Sequence, residues 1–297
     1  MRALAVITAL ALIACGGGGS TSGAPGGGGS TGEGGMTSAG GSSVGAGGEP
    51  LMNPGALVDD GLIARYFLDE ATTGQPSEVI DHTTDPLDLA LTWDTTGDPA
   101  GYFEDPEGHR GIAFPAITRN DRASIAIDGT KIQTRLAGSA TMTYELVADI
   151  QAVEPLGSRL CHIGFDTDHT LSLETNSITR LEMSVNHDLG GLGAVSLADL
   201  GRAVFHGVVD TREADPQERV RLYVNASRVP NLAPTPPDQN DTLVIDDGRH
   251  FVIGNREIGG RTIQGTIYYA AIYDAALTAE QVLFNTTLLL ADDDAPN

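Results

Sequence analysis

Residues 265–282 read GTIYYAAIYDAALTAEQV, and the stretch divides into two parts with different structural demands. Over 265–273, Tyr268, Ala270 and Ile272 alternate against Ile267, Tyr269, Ala271 and Tyr273. Both sets are apolar, as expected of a central strand covered on each side. Past Asp274 the pattern changes. Thr278 stands three residues before Gln281, the spacing of a capping box, which predicts a single short helical turn. Val282, Leu283 and Phe284 would dock that turn against the edge of the strand layer.

Working outward, short alternating segments separated by turn signals continue back to residue 61. The stretch 61–69, GLIARYFLD, is a mostly apolar strand ending at an acidic turn. Residues 123–127 alternate before the turn Asp128-Gly129, and 141–150 form a long run rich in β-branched and aromatic residues. Further runs lie at 159–165, 170–174, 180–185, 203–210, 220–225 and 251–253. About ten to fourteen short strands with no helical period between them predict an all-β sandwich or barrel. No period of 20–50 residues is visible, which argues against a propeller or solenoid.

Taken in order, these segments resemble the laminin-G-like jelly roll of the concanavalin A-like lectin/glucanase superfamily. The family's opening strand, Gly-Leu-x-Ala-x-Tyr-x-Leu-Asp-Glu, is matched from Gly61 to Glu70. The segment Gly111-Ile112-Ala113-Phe114 resembles the strand before its central region. Thr141 to Val147 resembles its "fTieaWv" strand with Leu146 in place of tryptophan, and Phe205-His206 partly matches its Trp-His pair. Leu222-Tyr223-Val224-Asn225 is its "LYVNG" with Ala226 replacing glycine, and 251–254 followed by 265–282 is its most specific signature. The resemblance implies an antiparallel two-sheet jelly-roll sandwich over residues 51–290, with first and last strands adjacent. The tail at 291–297 is acidic and is expected to fray.

Charge narrows the function classes. Lys and Arg total 17 against 40 Asp and Glu, a net charge of −23, and Lys131 is the only lysine. Such a surface repels phosphate backbones and anionic headgroups, so nucleic acid is excluded as a partner and any membrane contact must come through an anchor. Aromatics are only 5%, too few for a platform that stacks single-stranded bases. Residues 1–15 read MRALAVITALALIAC, one basic residue and then an apolar core too short to span a bilayer. Its end, Leu12-Ile13-Ala14-Cys15, resembles the bacterial lipoprotein box. The resemblance implies a signal peptide at 1–14, lipidation of Cys15 and, with Gly16 rather than aspartate following, sorting to the outer membrane. In 16–50, seventeen of 35 residues are glycine and GGGGST occurs twice, the composition of a disordered tether. The GxSxG pattern at Gly41 to Gly45 falls inside that tether, without the strand and helix a nucleophile elbow needs.

Residues that could carry chemistry are few. Glu213-Ala214-Asp215-Pro216-Gln217-Glu218 has the carboxylate spacing of the superfamily's glycosidases. Pro216 cannot donate to a ladder, however, and the segment lies where the family has a hairpin loop. The chain is therefore read as non-enzymatic. Asp166 and Asp168, with Asp188, could supply oxygen ligands to calcium, against the plainer reading of acidic loop ends. Cys161 reads as a small buried hydrophobe and Trp93 as core, although tryptophan is also a sugar-stacking surface. Two roles follow: a tethered module binding a glycan or an extracellular protein, or a structural envelope component with no discrete ligand site. A glycoside hydrolase ranks third.

Overall fold

The computed structural model describes residues 56–165, 169–233 and 235–296. Their strands form two antiparallel sheets. Across the first, the order is Ser227–Val229, Val220–Val224, Arg202–Asp210, Thr141–Val153, Ile263–Tyr273, Arg110–Phe114, Gly101–Glu104 and Thr73–Gly74. The strand Leu62–Phe67 joins it by pairing with Ile263–Tyr273, so the opening and closing strands are neighbours as expected. The second sheet runs Asp188–Ala194, Arg180–Val185, Thr170–Thr175, Ser158–Gly164, His250–Ile253, Arg122–Ala126, Leu89–Thr92 and Glu78–Val79. The all-β, two-sheet architecture is the one the alternation predicts.

Period-two alternation sends one apolar set of each strand between the sheets. Ile63, Tyr66, Tyr144, Leu171, Phe205 and Phe251 meet there, fully buried. The Phe251 ring lies stacked between Tyr66 and Tyr144, at centroid distances of 6.0 and 6.4 Å. Tyr144 satisfies its hydroxyl by donating to the Leu171 carbonyl, 3.0 Å away.

A second apolar cluster lies on the outer face of the first sheet, where Phe67, Val147, Val204, Val208 and Tyr269 meet Val282 and Leu289. The last two belong to the helix Ala279–Ala291, capped by the expected box at Thr278 and Gln281. The helix is longer than the single turn predicted. Asn285, Thr286 and Thr287 are modest helix formers and look like a stop. Val282, Asn285, Thr286 and Leu289 nonetheless share one buried stripe, and packing of that stripe sustains the helix for more than two further turns.

Three more features depart from the sequence pattern. The strand Asp188–Ala194 was not anticipated, because its glycines disfavour extended structure. Close packing explains them: a Cβ on Gly193 would lie 2.6 Å from Val229 Cγ1, so the sheets close here only over a bare backbone. Second, the register of Ile263–Tyr273 shifts between Ile267, opposite Ala148, and Tyr269, opposite Val147. Tyr268 is the extra residue of a β-bulge, so it shares the outer face with Tyr269 rather than alternating with it. Third, the acidic tail is docked rather than frayed. Asp293 is 1% exposed, held by Arg202 at 2.8 Å and by His109 at 2.7 Å.

Candidate functional site

The bulge divides the outer face of the first sheet. Below it, Ile263–Tyr273 pairs with Leu62–Phe67; above it, with Arg110–Phe114. The upper part carries an open depression of about 450 Å³, within the size range of small-ligand sites. Its floor follows from the register. Arg202 lies opposite Asp149, Asp149 opposite Thr266, and Thr266 opposite Ala113. Gln151 and Gln264 extend the same polar face toward the strand ends.

Two aromatic side chains complete the depression. Tyr268 forms one wall, its ring seated on the backbone of Gly111, where a Cβ would come within 3.0 Å of Tyr268 Cδ1. Phe103, opposite Gly111 in the ladder, is 41% exposed. It stands between this depression and a second of about 520 Å³ lined by Gln75, Pro99, Gly101 and Tyr102. Ala113 lines both. The turn joining Gly101–Glu104 to Arg110–Phe114 adds Asp105 and Glu107 at the rim, and Asp105 Oδ1 caps that turn by accepting from the amides of Glu107 and His109.

Electrostatics at the site are dominated by carboxylates. Burial, followed by the charges of Asp105 and Asp149, pushes the Tyr268 hydroxyl up to about 12, so it remains a neutral donor. Burial also raises Asp293 above its ordinary value, with Arg202 and His109 opposing the shift. Arg202 is the one cation among the described residues lining the depression, and its guanidinium is taken up by Asp293 and by the carbonyls of Leu289 and Leu290. An apolar ring standing over a floor of amide, hydroxyl and carboxylate groups can stack on the C–H face of a sugar while the polar groups meet its hydroxyls.

Below the bulge lies the opposite arrangement. Glu145 is fully buried under the helix and accepts four hydrogen bonds, from His206 and Asn285 at 2.8 Å and from the hydroxyls of Tyr269 and Tyr273 at 2.9 Å. Arg65 donates to the same two hydroxyls. Burial alone would raise the Glu145 pKa; the His206 and Asn285 bonds and the nearby charges outweigh it and hold the group below its ordinary value. Within this network the Glu145 carboxylate is fully satisfied and lies buried away from solvent.

The residues singled out from sequence sit elsewhere. Glu213 and Glu218 flank the turn between Arg202–Asp210 and Val220–Val224, as the hairpin reading expects. Glu218 pairs outward with Arg228 at 2.6 Å. Cys161 is buried in mid-strand and burial pushes its thiol up. Trp93 is only half-buried; its indole donates to the Pro76 carbonyl at 2.9 Å while the ring packs against the core. Cys15, Asp166 and Asp168 lie outside the described residues, and Asp188 begins an exposed strand end. Sequence reasoning missed Phe103 and Tyr268. No sequence signal marks the bulge at Tyr268, because this strand is apolar on both faces and an extra residue leaves such a pattern unchanged.

The fold is shared with sialidase, arabinanase and toxin domains. A Trypanosoma rangeli sialidase superposes with a TM-score of 0.52 at 14% identity, over 80% of this chain and 34% of the sialidase. Domain 4 of AbnA, a GH43 extracellular arabinanase of Geobacillus stearothermophilus solved with arabinotriose, gives 0.51 at 16% identity, over 76% of this chain and 98% of that domain. The binding domain of botulinum neurotoxin DC, solved with SialylT, gives 0.50 at 8% identity, over 77% of this chain and 52% of that one. No protein-family model matches the chain, and no curated protein matches it. The chain spans about a third of the length of the sialidases. These neighbours correct one expectation. The sequence was read as non-enzymatic, yet the fold is one that enzymes carry, so that exclusion is not supported.

Proposed function

We propose that this chain is a lipid-anchored bacterial envelope protein whose body, residues 51–290, is a laminin-G-like domain that binds glycan in the groove around Phe103 and Tyr268. The observation that carries the binding reading is the exposed Phe103 ring standing between two depressions on one sheet face. Support comes from the arabinanase domain, matched over nearly its whole length and solved with arabinotriose, and from the toxin binding domain solved with SialylT. The lipoprotein box at Cys15 and the glycine-rich tether of 16–50 supply the anchor and the reach. A tether of that length has a root-mean-square span of about 30–35 Å, enough to hold the domain clear of a membrane surface.

A glycan array probed with the protein, followed by titration of the strongest hit against wild type and Phe103→Ala, tests the binding reading. Affinity lowered about tenfold in the variant at unchanged melting temperature is expected. An array without hits favours the structural envelope role instead. Palmitate labelling of wild type but not Cys15→Ser is the corresponding test of the anchor.

A further inference from the structure

We infer that the C-terminal segment is a built-in counter-anion that fixes the charge selectivity of the groove: Asp293 occupies Arg202, so the groove accepts uncharged glycans and rejects those bearing carboxylates. This rests on the glycan reading and names the ligand class of the same site. Arg202 begins its strand directly opposite Asp149, on the floor of the depression. An arginine so placed is the natural partner for an acidic sugar, because its planar fork pairs with a carboxylate through two parallel bonds.

Here that fork is already engaged. Arg202 Nη1 donates to Asp293 Oδ2 at 2.8 Å and to the Leu289 carbonyl at 3.0 Å, and Nη2 donates to the Leu290 carbonyl at 2.7 Å. His109, edge-on to Tyr268, holds the other Asp293 oxygen at 2.7 Å. The segment is pinned further by Arg110, which bridges Asp294 at 2.6 Å, and by the Ala295 amide, which donates to Asp69 at 2.8 Å. With its cation neutralised, the depression presents Asp105, Glu107 and Asp149 to whatever enters, in a chain of net charge −23. Each of those charges repels an incoming carboxylate at a distance where screening by salt is incomplete.

The test is a titration of the full chain with two probes, arabinotriose and sialyllactose, at low and at physiological salt. Wild type is expected to bind the uncharged probe at least about tenfold more tightly at low salt, with the gap narrowing as salt rises. Asp293→Asn, which unmasks Arg202, should reduce the gap to about threefold or less. Asp149→Asn, which leaves the C-terminal segment untouched, should reduce it as well and keeps the test valid where Asp293→Asn does not fold. Equal or tighter binding of sialyllactose by wild type overturns this inference while leaving the glycan reading intact. Absence of binding to every glycan overturns both.

Discussion

The strands Thr141–Val153 and Ile263–Tyr273 lie side by side through two unlike environments. At one end they carry Glu145, Tyr269 and Tyr273 beneath a helix; at the other they carry Asp149, Gln151 and Gln264 in the open. Both ends are polar on the outer face. Under the helix, a buried carboxylate persists because four donors and a nearby arginine satisfy it, and removing any of them exposes the desolvation penalty. In the open end no helix of the described residues covers the face, and Gln151 and Gln264 turn toward solvent. The Tyr268 bulge marks the boundary, giving one tyrosine to each side. Chemistry alone does not distinguish a structural polar cluster from a binding surface; cover does.

Breaking the covered end should have the largest effect. Glu145→Ala leaves His206, Asn285 and two tyrosine hydroxyls without their shared acceptor, and should destabilise the fold by about 3–5 kcal/mol in urea unfolding. A loss under about 1 kcal/mol would show the network to be incidental. The same carboxylate predicts a pH signature. Its folded pKa is depressed, so its contribution is present above the unfolded value of about 4.3 and disappears as pH falls through the folded value. Asp293, raised on folding, has the opposite sign: its contribution belongs to low pH and fades as pH rises through the folded value. Glu145→Gln should therefore flatten the acid limb of the melting profile, whereas Asp293→Asn should not.

Next in size is the closed edge of the sandwich. Gly193→Ala forces a methyl group against Val229, and overpacking of this kind costs about 1–3 kcal/mol. An unchanged denaturation midpoint would mean that the edge is looser than its geometry. The open end should behave differently from both: Phe103→Ala is expected to lower glycan affinity about tenfold, roughly 1.4 kcal/mol, and to shift stability by no more than about 0.5 kcal/mol. The smallest effect belongs to the helix cap. Thr278→Ala removes the bond to the Gln281 amide and should destabilise by about 1 kcal/mol, read as a small fall in melting temperature without loss of binding.

The sequence made the covered parts of this molecule legible and the open part nearly invisible. Strands such as Arg180–Val185 and Ile263–Tyr273 announce themselves because burial imposes alternation, and the Thr278–Gln281 box announces the helix start. Where burial is enforced by other means, the signal fails. Glycines at 190, 191 and 193 conceal a strand, because the partner sheet comes close enough to leave no room for side chains. The tail looked frayed because Asp292, Asp293 and Asp294 lack any local reason to dock; Arg202 and His109, far away in the chain, supply it. The groove escaped notice for a related reason. Phe103 sits in a four-residue strand, Tyr268 in a bulge, and Arg202 and Asp149 become neighbours only through the ladder between two distant strands.

Amide resonances recorded while arabinotriose is added would show whether the open end of the first sheet is where a glycan binds. Shifts concentrated on 101–114, on 149–153 and on 263–268 are expected, with Phe103→Ala raising the arabinotriose concentration needed to reach them about tenfold. The outer face of the second sheet offers the sharpest contrast, since Glu174 and Glu182 lie directly opposite each other there. Shifts confined to 170–185, with 101–114 unmoved, would contradict the claim and place the site on the opposite side of the sandwich.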